Sequence, residues 1–217
     1  MNDSIEFAVK WTKVGIVAGF LACIVYPLLI AVPTPTTVTV VLAAAFGPLL
    51  SVASLGLYHF MSVHRKTVSL QIATVSTIIA GTVVNMMLVI QMTLREYFRL
   101  GLESAAGGGA EERLRAGYSA ADKVQLGLDF SWDVYIGVGT ILFAINMFRH
   151  PRLGRVVSVC GVGVGGLVLF FNFLTFPVPP AEAGSIDFGP LVGLWYLVVT
   201  IMLARSVNWL RGQQQEA

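Results

Sequence analysis

A chain of 217 residues in which 56% are hydrophobic and only 12% charged, with a mean hydropathy of +0.77, is excluded from the ordinary soluble class, where about a quarter of residues carry charge. The length accommodates about six spans of ~20 residues with their connections and leaves no room for a separate soluble domain. The net charge of +2 identifies no partner by itself, so the position of each charge along the chain matters more.

The chain opens on MNDSIEFAVKWTK, where Lys10, Trp11 and Lys13 act as interfacial anchors. The apolar run 14–32 is longer than a signal-peptide core, and AVPTP is a poor cleavage site, so it is expected as a retained first span. The second span is expected over 38–63, with Pro48 near its outer end, leaving through His64, Arg65 and Lys66. The third covers 68–92 and continues as a helix through LREYFRLGLES until AAGGGA (105–110) breaks it, because consecutive glycines disfavour helix. The polar segment EERLRAGYSAADKVQLGL is expected as a surface helix, which makes 94–128 a long outer loop. The remaining spans are expected over 130–148, 156–176 and 188–204.

Lys10, Lys13, Arg65, Lys66, Arg149, Arg152, Arg155, Arg205 and Arg211 all fall on one side of these spans, and most acids fall on the other. The positive-inside rule then places both termini in the cytoplasm. The expected fold is an all-α polytopic bundle of six transmembrane helices, forming one membrane domain over residues 1–217.

The even spans share an opening pattern: AAFGPLL at Phe46, LDFSWDV at Phe130 and IDFGPLV at Phe188. In the odd spans, Gly15-x-x-x-Gly19 recurs as Gly161-x-x-x-Gly165, and the matching registers carry Tyr26 and Asn85 onto Asn172. All these pairs run the same way through the membrane, which predicts three parallel pseudo-repeated hairpins rather than an inverted repeat. The glycines of CGVGVGGL lie inside an apolar run with no preceding strand. They read as helix-packing positions, like Gly15 and Gly19, and not as a dinucleotide fingerprint.

Asp129 and Asp133 stand four residues apart, on one face at the outer end of the fourth span. Acids there suit a helix N-terminus, or they line a cavity as a proton or cation site. Asn85, Asn172, Tyr26, Tyr135 and Gln91 share that depth, which marks a candidate ligand site of Asp133, Asn85, Asn172, Tyr26, Asp129 and Tyr135. His59, His64 and His150 fall near the opposite face without the ligand partners of a zinc or haem site, and no acid faces them for hydrolysis. Cys23 and Cys160 differ in depth and read as buried small hydrophobes rather than a disulfide.

The stretch DVYIGVGTILFAINMFRHPRLGRVVSVCGVGVGG, with its acid at the opening, Gly-rich middle and Arg-x-Pro-Arg-x-Gly turn, resembles a family of bacterial six-helix integral membrane proteins of unassigned activity. The resemblance centres on residues 128–176, implies a bacterial inner membrane and adds no site residue. The reading favoured by the residues is a non-enzymatic protein that binds or moves a small or lipid-like ligand through an outward-facing cavity. A structural or assembly subunit ranks second and an integral membrane enzyme third. No metal, cofactor or nucleic acid is expected; the partners expected are membrane lipids, the ligand and a second copy of the chain.

Overall fold

The computed structural model describes residues 2–104 and 109–215. These form α1 (Asn2–Ala31), α2 (Thr36–His64), α3 (Val68–Ser104), α4 (Ala110–Met147), α5 (Arg155–Thr175) and α6 (Gly189–Gln215), with no strand among the described residues. All six are long and apolar enough to cross a membrane. Pro33 and Pro35 stop α1 and set the start of α2, since proline cannot extend the hydrogen-bond ladder of a preceding helix. Thr67 caps α3, its Oγ1 accepting the Leu70 N–H at 3.1 Å. The α4–α5 turn closes on Gly154 at φ 75°, a left-handed conformation that glycine adopts without a Cβ penalty. Asp187 Oδ1 accepts the Gly189 N–H at 2.8 Å at the start of α6.

The helices pack in chain order as a ring. α6 closes it chiefly against α1 and more lightly against α5. Small residues set the spacing. A Cβ added at Gly15 would lie 2.5 Å from Gly56 Cα, and one at Gly165 would lie 2.9 Å from Gly137 O. Such seams are held by close backbone approach, because lipid offers apolar side chains as good a solvent as a neighbouring helix does. Across the α5–α6 seam, Gly161 leaves room for the Trp195 indole, whose Nε1 donates to Val157 O at 2.8 Å. In the middle of the ring Tyr196 reaches across from α6, its hydroxyl 3.4 Å from Thr77 Oγ1 of α3.

Residues 94–128 depart from expectation. The described ones are the end of α3, which continues as a helix as expected, and the first half of α4, which pairs with it as an antiparallel extension rather than lying as a surface helix in a loop. Leu114 lies over Gly101, Phe98 and Tyr118 pack at 4.6 Å, and Arg115 sits 5.9 Å over the Phe98 ring. These contacts partly cover the apolar face of the polar segment. Arg99 pairs with Glu96 and Glu103, and Arg115 with Glu111, on the exposed side. The expected break at AAGGGA lies mostly outside the described residues. Cys160 is exposed on α5 rather than buried, because the apolar face it occupies points away from the ring; Cys23 is half-buried, and both are free.

Candidate functional site

The basic residues of the short turns and the ends of α1 and α6 gather at one end of the bundle, and the acids Asp129, Asp133 and Asp187 at the other. At the acidic end, one turn of α4 presents Asp129 and Asp133 on the same face. Asp133 is only 6% exposed and lies near the Asn172 side chain of α5. Asn172 is itself buried, and its Nδ2 donates to Val168 O at 3.0 Å within α5. Asp187, from the turn before α6, and Tyr26, from α1, complete the group, each electrostatically coupled to the α4 acids. None of the three acids takes part in an ion pair among the described residues. Asp187 is exposed and Asp129 half-buried, whereas Asp133 is buried, where a carboxylate is normally paired, so Asp133 is short of a cation or a proton.

Beside it, a cavity of about 510 Å³ opens between α1 and α6. Its walls are Gly19, Ala22, Cys23 and Pro27 on one side and Gly189, Gly193, Leu194 and Leu197 on the other, backed by Phe46, Leu50, Trp132 and Ile136. It exists because small residues face each other across this seam. A Cβ added at Gly193 would meet nothing within 4 Å. Thr200, against Gly19, also lines the cavity, and Leu194 lines it while 55% exposed, so the cavity opens toward the outside of the bundle. Two polar groups mark it. The buried Trp132 Nε1 has no hydrogen-bond partner among the described residues, and Tyr26 lies 6.4 Å from the Trp132 ring and 4.8 Å from Phe46. Tyr26 thus belongs both to the cavity wall and to the acidic cluster.

The expected site residues therefore separate. Asp133, Asp129, Asn172 and Tyr26 come together. Tyr135 does not: it is 38% exposed and points away from the ring, because two residues along a helix carry it to the far side from Asp133. Asn85 is also elsewhere, on the α2–α3 seam. With its amide turned to donate, Nδ2 reaches Ala44 O at 2.8 Å and Ala43 O at 3.3 Å. Pro48 stands four residues after Ala44 and has no N–H, so the Ala44 carbonyl lacks its helical partner and Asn85 supplies one. The expected cavity lined by Asp133, Asn85 and Asn172 is accordingly replaced by an apolar one, lined by none of them. Trp132, Gly193 and Asp187 were not singled out from sequence. Only Asp187 left a signal, by aligning with Asp129 in the IDF and LDF patterns.

At the basic end, rings pack against one another. His59 stacks on Trp11 at 5.4 Å, and His150, 4% exposed, packs against Phe60 at 4.9 Å and against His64 and Trp209 at 5.3 Å. Burial, with a smaller contribution from the nearby His64, pushes His150 down to about 4, so its ring is neutral at ordinary pH. No group of three or more histidine, cysteine or acidic side chains placed to hold a metal occurs among the described residues.

No protein-family model, curated protein or solved structure matches this chain.

Proposed function

We propose that the chain is a non-enzymatic membrane protein that binds one lipid-like molecule in the α1–α6 cavity, its apolar part against Leu50, Ile136 and Leu197 and its polar or cationic head at the acidic cluster. The cavity carries this reading. Its volume of about 510 Å³ falls in the range of small-molecule sites, its walls are apolar, and it opens sideways. The Tyr26 side chain lines the cavity where a ligand head would sit, with the buried, unpartnered Trp132 N–H and the acids Asp129, Asp133 and Asp187 beyond it.

The wider setting is part of the proposal. The gathering of basic residues at one end supports both termini inside, and the resemblance of residues 128–176 supports a bacterial inner membrane. The glycine neighbours support a repeat that relates the first hairpin to the third. Gly15 and Gly161 each meet the even helix of their own hairpin, while Gly19 and Gly165 each meet the even helix before it. Labelling engineered cysteines at positions 65 and 187 from either side of intact cells tests the topology; label reaching position 65 from outside would overturn it.

The ligand reading is tested by Gly193→Leu, which fills the cavity without a clash at its Cβ. Native mass spectrometry should find one lipid-mass adduct on the parent protein and none on the variant. Affinity for a fluorescent long-chain alkylammonium should fall at least tenfold in Gly193→Leu, and also in Asp133→Asn. Unchanged binding in Gly193→Leu would sink the site. Unchanged binding in Asp133→Asn alone would remove the acids from it.

A further inference from the structure

A second cavity, of about 420 Å³, lies at the basic end, where the α2–α3 and α4–α5 turns meet. Arg65, Thr67, Ser69, Asn146, Arg149 and His150 are among the residues that line it, and no carboxylate does. Asn146 of α4 fixes the hydroxyls of the α3 start. Its Oδ1 accepts from Thr67 at 2.6 Å and from Ser69 at 3.2 Å, and its Nδ2 donates to Leu142 O at 2.8 Å. Both faces of the amide are thus spent on shaping the wall.

What remains free is a surplus of donors. Neither Arg65 nor Arg149 has an acidic partner among the described residues. The first-turn N–H groups of Val68 and Ser69 have no partner within α3, because a helix N-terminus offers them none. His150 is 4% exposed, and its Nδ1 accepts the Arg152 N–H at 3.3 Å, which leaves the ring proton on Nε2. That Nε2 has no acceptor among the described residues. Two guanidinium forks, a helix start and a buried unpartnered N–H around one roomy space call for an oxyanion with several acceptor atoms.

We infer that this cavity binds a phosphate group, carried either on the headgroup of an anionic lipid or as free phosphate. The site lies at the opposite end from the α1–α6 cavity and does not depend on it.

The test titrates the detergent-solubilised full chain with inorganic phosphate and, separately, with short-chain phosphatidylglycerol, reading melting temperature and native mass. Three forms are compared: the parent protein, Arg65→Gln/Arg149→Gln, and Arg155→Gln/Arg205→Gln. The last removes the same charge from basic-end residues that do not line the cavity. The parent and this control should bind with similar affinity, and the lining variant at least tenfold more weakly. Ser69→Asp offers a second route. It places a carboxylate where the α3 dipole tolerates it, so the fold is kept and binding should be lost. Binding of the lipid alone assigns a headgroup site, and binding of inorganic phosphate as well shows that the phosphate suffices. Binding of neither, equal loss in both double variants, or full binding by Ser69→Asp overturns the inference.

Discussion

At the basic end of the bundle, rings pack the interior and the cavity between the turns is lined by cations and hydroxyls; at the acidic end, the helices leave an apolar void beside a buried carboxyl group without a cation. Phe60, Met147, Leu153 and Leu210 are almost wholly buried at the basic end, and His150 and Asn146 are locked by their neighbours. At the acidic end Asp133 is as buried as His150 is, but it faces Asp129 and Asp187 rather than a counter-charge. Glycine serves two purposes. At the α1–α2 seam it permits backbone contact, as at Gly15 and Gly56, whereas Gly193 on the cavity wall faces nothing. The rings of one end thus hold the bundle together, while at the other the chain leaves an apolar space beside an unpaired buried acid.

Paired substitutions can break that contrast. Gly56→Leu forces branched bulk against Gly15 Cα at 2.5 Å and Trp11 O at 3.0 Å. It should cost stability at or beyond the upper end of the ~1–3 kcal/mol seen for overpacking. Gly193→Leu should move the other way, gaining up to about 1 kcal/mol from helix propensity alone. Melting in detergent reads both, and a loss of the same size at the two positions would erase the distinction between seam and cavity.

The neutral, buried His150 sharpens the contrast through pH. Its folded value near 4 lies below the ordinary 6.5, so the unfolded chain takes up a proton that the folded chain refuses. Stability from this group is complete above pH ~6.5 and declines as the pH falls toward 4, by an amount on the order of 2–3 kcal/mol at the bottom. His150→Asn keeps an acceptor for the Arg152 N–H and does not titrate, so its melting curve should decline less over that window. Parallel pH profiles for the two proteins would show that the basic end is less tightly closed than its packing implies.

A smaller effect is expected on the α2–α3 seam. Asn85→Ala strands the Ala44 carbonyl and should cost ~1–2 kcal/mol, the usual result of leaving a buried acceptor unpaired. In a Pro48→Ala background the helix makes that bond itself, so the same change should cost less than about 0.5 kcal/mol. Equal costs in both backgrounds would mean that the amide serves some other partner.

Much of the bundle was legible because a membrane allows few solutions: long uncharged runs must be helices, and prolines, glycines and arginines mark where they stop. The α3–α4 extension was not legible, since the segment around Leu114 and Tyr118 is polar on average and its apolar face shows only against Phe98 and Gly101. Within the site, the depth of Asp133, Asn172 and Tyr26 could be counted from the ends of their spans. Tyr135 was misplaced because depth says nothing about direction around the helix. The cavity leaves no motif, as it is made by side chains that are small. Asn85 looked like a site residue because its partner is a carbonyl orphaned by a proline on another helix, a pairing that no local pattern records.

That pairing also orders the history of the two positions. A chain with alanine at 48 satisfies the Ala44 carbonyl within α2, and position 85 is then free to drift. Once proline occupies 48, every replacement of Asn85 that cannot donate leaves the carbonyl bare inside the bundle. The asparagine can therefore be acquired before the proline at little cost, whereas the proline cannot come first without a loss, and the pair works as a ratchet. Descendants that keep Pro48 should keep a donor at 85, and those that lose the proline should be the ones in which position 85 varies.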